Sequence, residues 1–146
     1  LPGNATLKGD ARSLSPKINE TIEARMRQIV AGISSAHGVN SEVHYDTLFP
    51  SVINTTAPVI AAQCAASTIV GSAGVDADCE PKLFSEDFAH MAATRPGCFV
   101  LMGNGTQGKN ANPLHASNYD FNDEALTFGS SFWVQLVEQE LSGNIK

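Results

Sequence analysis

Basic residues are scarce in this sequence. Nine lysines and arginines stand against fifteen acidic residues in 146 positions, a net charge of −6 with histidine neutral. They are scattered, with one modest cluster at Arg25 and Arg27. A protein that follows a phosphate backbone needs a basic stripe, so the composition argues against nucleic acid as a partner. Long apolar runs are missing as well. None approaches the roughly 20 residues that a helix needs to cross a bilayer, which argues against a membrane protein. Cysteine is sparse: Cys64, Cys79 and Cys98 are odd in number and widely spaced. Such a set does not form a disulfide framework and points to a reducing, cytoplasmic setting. There is also no initiator methionine and no signal peptide. The opening "LPGNATL" reads as a loop running into a strand, as expected of a piece of a longer protein.

Several chemical motifs are absent or fail on inspection. Neither H-E-x-x-H nor C-x-x-C occurs. "GNGTQG", residues 103–108, matches G-x-G-x-x-G, but a dinucleotide site requires a helix to start inside the motif. Pro113 follows too soon for that, so the motif reads as a flexible glycine loop. "GSSFW" is not a nucleophile elbow, because Ser131 and Phe132 replace the required pattern inside a helix. Four N-x-[ST] sequons, at Asn4, Asn19, Asn54 and Asn104, read as turn and cap chemistry.

What remains is an ordinary globular composition, with 42% hydrophobic and 16% charged residues. Residues 5–12, "ATLKGDAR", alternate with period two and predict a half-buried strand, with Arg12 on its polar face. Ser15 as N-cap and Pro16 at the first helical position start a helix. Ile18, Ile22, Met26, Ile29 and Ile33 form its apolar stripe, and Gly38 ends it. Residues 42–49 alternate again, with Val43, Tyr45 and Phe49 on one face. The segment "NTTAP" marks a boundary. An Ala-rich helix is predicted over 57–70, a loop over "GSAGVDADCEP", and a short helix over "SEDFAHMAA" capped by Ser85. "CFVLMG" reads as a buried strand. A long polar loop over 103–120 then leads into a final helix starting at Asn122 or Asp123. The carboxylates at 123 and 124 sit where the helix dipole favours them.

His37, His44 and His90 have surface readings. His115 stands in the polar loop, and loops carry function. A lone histidine does not hold a metal tightly.

Taken together, "SEDFAHM", "RPGCFVLMGNG" and "PLHASNYDFNDEAL" resemble the C-terminal end of the M20 metallopeptidase family. The nearest branch is that of the amidohydrolases acting on N-acyl amino acids, hippurate hydrolase and its relatives. "LPGNATLKGDARSLSP", "ARMRQIVAGISSAHG" and "FPSVIN" resemble the second half of the lid, or dimerisation, domain of that branch. The resemblance implies an α/β architecture: residues 1–52 as half of a ferredoxin-like lid (strand–helix–strand), and residues 53–146 as the C-terminal part of a zinc-peptidase-like catalytic domain. It implies a homodimer and an N-acyl amino acid substrate. It implies that His115 is a ligand of a divalent metal, zinc or manganese, in the intact enzyme. Arg12 matches the arginine that binds the substrate carboxylate, a role suited to a guanidinium fork. Ser85, Glu86 and Asp87 match the "SED" segment beside the substrate. Phe84 departs from the small residue that tends to precede that segment, and Tyr119 to Asp123 matches a structural stretch. The other metal ligands, the water-activating glutamate and a lid histidine come from a family segment that has no counterpart here. The chain alone is therefore expected to be inactive and to bind no metal tightly. The competing reading is a stand-alone dimerisation or binding module that has lost catalysis.

Overall fold

The computed structural model describes residues 3–142; the opening loop at Leu1 and Pro2 lies outside them. Four α-helices follow in order: α1 Pro16–His37, α2 Thr56–Val70, α3 Phe88–Ala92 and α4 Ala125–Ser142. Single 3-10 turns occupy Ser72–Gly74 and Gly108–Ala111. No strand occurs among the described residues. This overturns the α/β architecture and the strand–helix–strand lid expected from the sequence. Alternation fixes which side chains share a face. A strand also needs a neighbouring backbone to accept and donate its ladder bonds, and 5–12, 42–49 and 98–103 enter no ladder among the described residues.

Side chains take over part of that task. Arg27 donates from Nη1 to the carbonyl of Val43 at 2.8 Å, while Glu23 holds its Nε and Nη2. Tyr45 donates its hydroxyl to Asn19 at 2.7 Å, and Asn19 donates to Thr47. The segment expected as the second lid strand is thus tied along α1 by polar side chains. Residues 97–99, where the stretch expected as a buried strand begins, are clasped to the start of α2 in a similar way. The side chain of Asn54 both donates to the Phe99 carbonyl and accepts from the Phe99 N–H, at 3.0 and 2.8 Å. Thr55 and Gly97 add two further bonds. An asparagine amide offers the same donor and acceptor pair as a peptide, so it can replace one rung of a ladder.

The helices follow the sequence more closely. α1 begins at Pro16, whose missing N–H costs nothing in the first turn. Ser15 holds the N-cap position with extended backbone but makes no side-chain cap bond. Gly38 ends the helix in the left-handed region at φ 65°, where a Cβ would be penalised. α3 is shorter than expected. Its N-cap is Asp87 rather than Ser85, and no side chain caps it. α4 begins at Ala125, after a turn in which the Asn122 side chain accepts the Glu124 N–H at 3.2 Å.

The chain forms two compact units. The first holds Leu1–Val52 and Glu80–Ala93, and the second holds Ile53–Cys79 and Thr94–Lys146. In the first, Ala89 alone is fully buried, and Ile18, Met26, Ile29 and Ile33 of α1 are exposed. In the second, α2 packs on α4, with Ala62, Ala65 and Ala125 buried. Gln139 adds a bond to the Ala61 carbonyl at 3.2 Å. Leu126, Trp133, Val137 and Leu141 of α4 remain exposed, while Phe132 and Leu136 are half-buried. The total exposed surface is 11861 Å². Even two separate domains of half this mass would expose only about 8,700 Å². Neither unit closes a core of its own.

Ala65 is fully inaccessible, so α2 approaches its neighbours through small side chains. Ala65→Leu should lower stability by about 1–3 kcal/mol through overpacking, measured by urea denaturation. Ala→Leu at exposed Ala57 on the same helix is the control and should leave it within about 0.5 kcal/mol.

Candidate functional site

The candidate residues fall into the two units. Arg12, Ser85, Glu86 and Asp87 belong to the first, and His115 belongs to the second.

Arg12 follows irregular backbone, not a strand, yet its guanidinium is fixed at two points. Its Nε donates to Asp10 Oδ2 at 2.8 Å, and its Nη1 donates to the Leu83 carbonyl at 2.9 Å. The second bond brings the arginine to the chain just before "SED". Its Nη2 donors have no partner among the described residues, which leaves one edge of the fork for a carboxylate. The Asp10 pair is solvent-exposed, with both side chains more than 40% accessible, so it orients the group more than it stabilises the fold. Ser85 and Asp87 are exposed and Glu86 is half-buried. The Ala89 and His90 amides bond the Glu86 and Asp87 carbonyls at 3.3 and 3.0 Å. His90 in turn meets the Leu48 carbonyl at 3.1 Å and tilts against the Phe49 ring.

His115 sits at the third position of a turn closed by the Ala116 N–H and the Pro113 carbonyl at 3.1 Å. Its φ is 69°, the one positive value at a non-glycine residue among those described. A turn of this kind prefers glycine or asparagine there. A second turn follows, from the Tyr119 N–H to the Ala116 carbonyl at 3.0 Å. The imidazole is exposed and has no hydrogen-bond partner among the described residues.

Asparagines hold this loop. Asn112 Nδ2 donates to the carbonyls of Lys109 and Asn118, both at 2.9 Å, and Asn118 Nδ2 returns a bond to Asn112 Oδ1 at 3.2 Å. Asn104 Nδ2 donates to the carbonyls of Asn110 and Asp120, and its Oδ1 accepts from the Asn122 N–H at 2.8 Å. Residues 103–108 are therefore more than the flexible glycine loop read from the motif. Gly105, at φ 138°, lets the backbone approach Asn110: an added Cβ would stand 2.9 Å from that side chain. Asn110 Oδ1 is buried without a partner, at a cost of about 1–3 kcal/mol that the network around it must offset. Lys109 pairs with Asp120 at 2.6 Å. The hydrogen bond to Asp120 and then its charge raise the Lys109 ammonium above its ordinary value. A raised cationic group stabilises the fold below its unfolded value, and that contribution is lost only as pH rises through the folded one.

The sequence motifs missed Asp10, and they marked Asn104 as turn and cap chemistry without its partners. His44 and Asp46 spell H-x-D, a metal-ligand spacing, but His44 is exposed and meets only Glu42 at 3.4 Å. No group of three His, Cys, Asp or Glu among the described residues could hold a metal ion. The described residues thus do not make a metal centre alone; the exposed imidazole of His115 fits the part of a single nitrogen donor.

The model of peptidase family M20/M25/M40 matches residues 7–139, and the chain belongs to that family. It is 27% identical over 135 residues to thermostable carboxypeptidase 1 of Saccharolobus solfataricus, covering 89% of this chain and 33% of that protein. It is 25% identical over 137 residues to the hippurate hydrolase of Campylobacter jejuni, covering 94% of this chain and 35% of that one. It is 28% identical over 149 aligned positions to the IAA-amino acid hydrolase ILR1-like 5 of Arabidopsis thaliana, covering 97% and 33%. The chain spans about a third of the length of the curated relatives it matches. No solved structure matches it.

The left-handed backbone of His115 gives a direct expectation. His115→Val should destabilise the fold by about 1–2 kcal/mol, because a branched Cβ clashes in that region. His115→Gly should be neutral or stabilising. Thermal unfolding followed by circular dichroism distinguishes the two.

Proposed function

We propose that the chain is part of a metal-dependent hydrolase that cleaves the amide bond of N-acyl amino acids. His115 donates one metal ligand. Arg12 binds the free carboxylate of the substrate, and Ser85, Glu86 and Asp87 lie beside the substrate. The observation that carries this reading is His115: an exposed imidazole without a partner among the described residues, held in a backbone region uncommon for residues other than glycine, at the apex of a bonded loop. Strained backbone of this kind persists where surrounding structure overrides it, and it collects at functional sites. Family membership supports a hydrolase, and two relatives are named for the hydrolysis of amino acid conjugates.

The bound metal, zinc or manganese, would supply Lewis acidity toward the amide carbonyl. This chain's own share is to donate one imidazole nitrogen and to fix the substrate's carboxylate end through the Arg12 fork. The remaining ligands and the proton acceptor belong to the longer protein, which by the length of its relatives is about three times this chain. The uncovered apolar faces of α1 and α4 fit that reading, since such area calls for covering chain or a second copy. The intact protein is read as a homodimer. The odd number and wide spacing of the cysteines support a cytoplasmic setting. No helix among the described residues is long and apolar enough to cross a membrane.

Three measurements test the assignment. In the full-length protein, Arg12→Ala should cost on the order of 2–4 kcal/mol of transition-state binding for substrates with a free carboxylate, from the ratio of kcat/KM values. Substrates with an amidated carboxylate should lose far less; an equal loss for both removes Arg12 from this role. His115→Ala in the full-length protein should lose metal and activity together while circular dichroism stays native. The 146-residue chain alone should bind no stoichiometric zinc or manganese in calorimetry.

A further inference from the structure

His115 lies midway between Asn112 and Asn118, three residues from each, and those two side chains are bonded to each other and across the base of the loop. The Asn118 carbonyl and side chain both meet the Asn112 amide, so the six-residue span is closed by one residue pair. Within it, the two consecutive turns leave His115 at the apex. Asn104 fastens the outer loop to Asp120 and Asn122, at the threshold of α4.

We propose that Asn112 and Asn118 form a clip that positions the His115 imidazole for metal binding, with Asn104 anchoring the clipped loop. They are positioning residues: neither asparagine of the clip need touch the metal. The proposal rests on the reading of His115 as a ligand. Its physical basis is the conformational cost of the turn. A histidine at positive φ is held against its local preference, and the ring direction follows from the backbone that carries it. Without the clip, the 113–116 turn can relax to negative φ and swing the ring away. Asn112 supplies most of the closure, since its one side chain takes part in both bonds across the base and adds a third to the Lys109 carbonyl. The asparagines use neutral amides, so the clip holds the ring without adding a charge that would compete with the metal for it. Outer partners that orient a ligand typically change metal affinity by about 10-fold to 100-fold when removed.

The test compares full-length proteins carrying Asn112→Ala, Asn118→Ala and His115→Ala. Metal affinity is read by competition with a chelator, and backbone order by hydrogen exchange at the Ala116 and Tyr119 amides. Asn112→Ala should weaken metal binding about 10-fold or more and speed exchange at both amides, with α2 and α4 exchange unchanged. Asn118→Ala, which removes only the 3.2 Å side-chain bond, should show the same effects at smaller size, and it replaces Asn112→Ala as the deciding variant should that protein not fold. Faster exchange with unaltered metal affinity would overturn the clip, leaving it as loop structure alone. Loss of metal in His115→Ala with none in the asparagine variants also rejects the clip but keeps His115 as ligand. Unchanged metal content in His115→Ala rejects both.

Discussion

Asn104 spends nearly all of its hydrogen-bonding capacity on three backbone groups, and Asn54 and Asn112 each serve the backbone in the same way. The constraint behind this is general. Every peptide outside a helix needs a partner or water, and a segment without a neighbouring strand has no regular ladder to provide one. The irregular stretches here would have little to fix them if side-chain amides did not act as substitutes. The loop carrying His115, the clasp that holds residues 97–99 to α2, and the tether of residues 43–47 to α1 are all versions of that one solution. Each uses a polar side chain to hold a stretch that contributes almost nothing to a core.

That solution has an energetic profile of its own. The buried apolar residues among those described are four alanines, so transfer of apolar area contributes little within either unit. Net hydrogen-bond contributions are about 1 kcal/mol each, enough to shape a loop but not to stabilise a domain of this size. The apolar stripe of α1 and the outer face of α4 were written for burial and are not buried within their own units. The same logic separates stability from site geometry. Helices α2 and α4 make the firmest packing, whereas the groups proposed to meet substrate and metal sit on irregular backbone set by polar contacts.

The helices were legible because their signals are local. Pro16 and Gly38 bracket α1, and the Ala-rich run ends at Gly71, positions decided by φ preferences and by missing N–H groups rather than by distant contacts. Residues 5–12 and 42–49 were misread because period-two alternation reports amphipathicity and says nothing about partners, and the apolar run 98–103 because apolar character does not supply a neighbouring strand. Ser85 was misjudged as a cap because the short helix begins three residues later, where Asp87 takes the cap position. The glycine loop at 103–108 was read as slack because its glycines are conspicuous, whereas the amide of Asn104 that fastens it has bonding partners six to eighteen residues away.

By itself the sequence determined the family, the positions of the helices and the two residue types suited to a carboxylate and to a metal, because motif spacing and turn chemistry act over a few residues. Only the tertiary structure decided that no sheet forms among the described residues, that Arg12 is held by Asp10 and Leu83, and that His115 stands in left-handed backbone between two bonded asparagines. Those outcomes depend on which groups the folded backbone brings within about 3 Å of each other, and hydrogen bonds act only at that range.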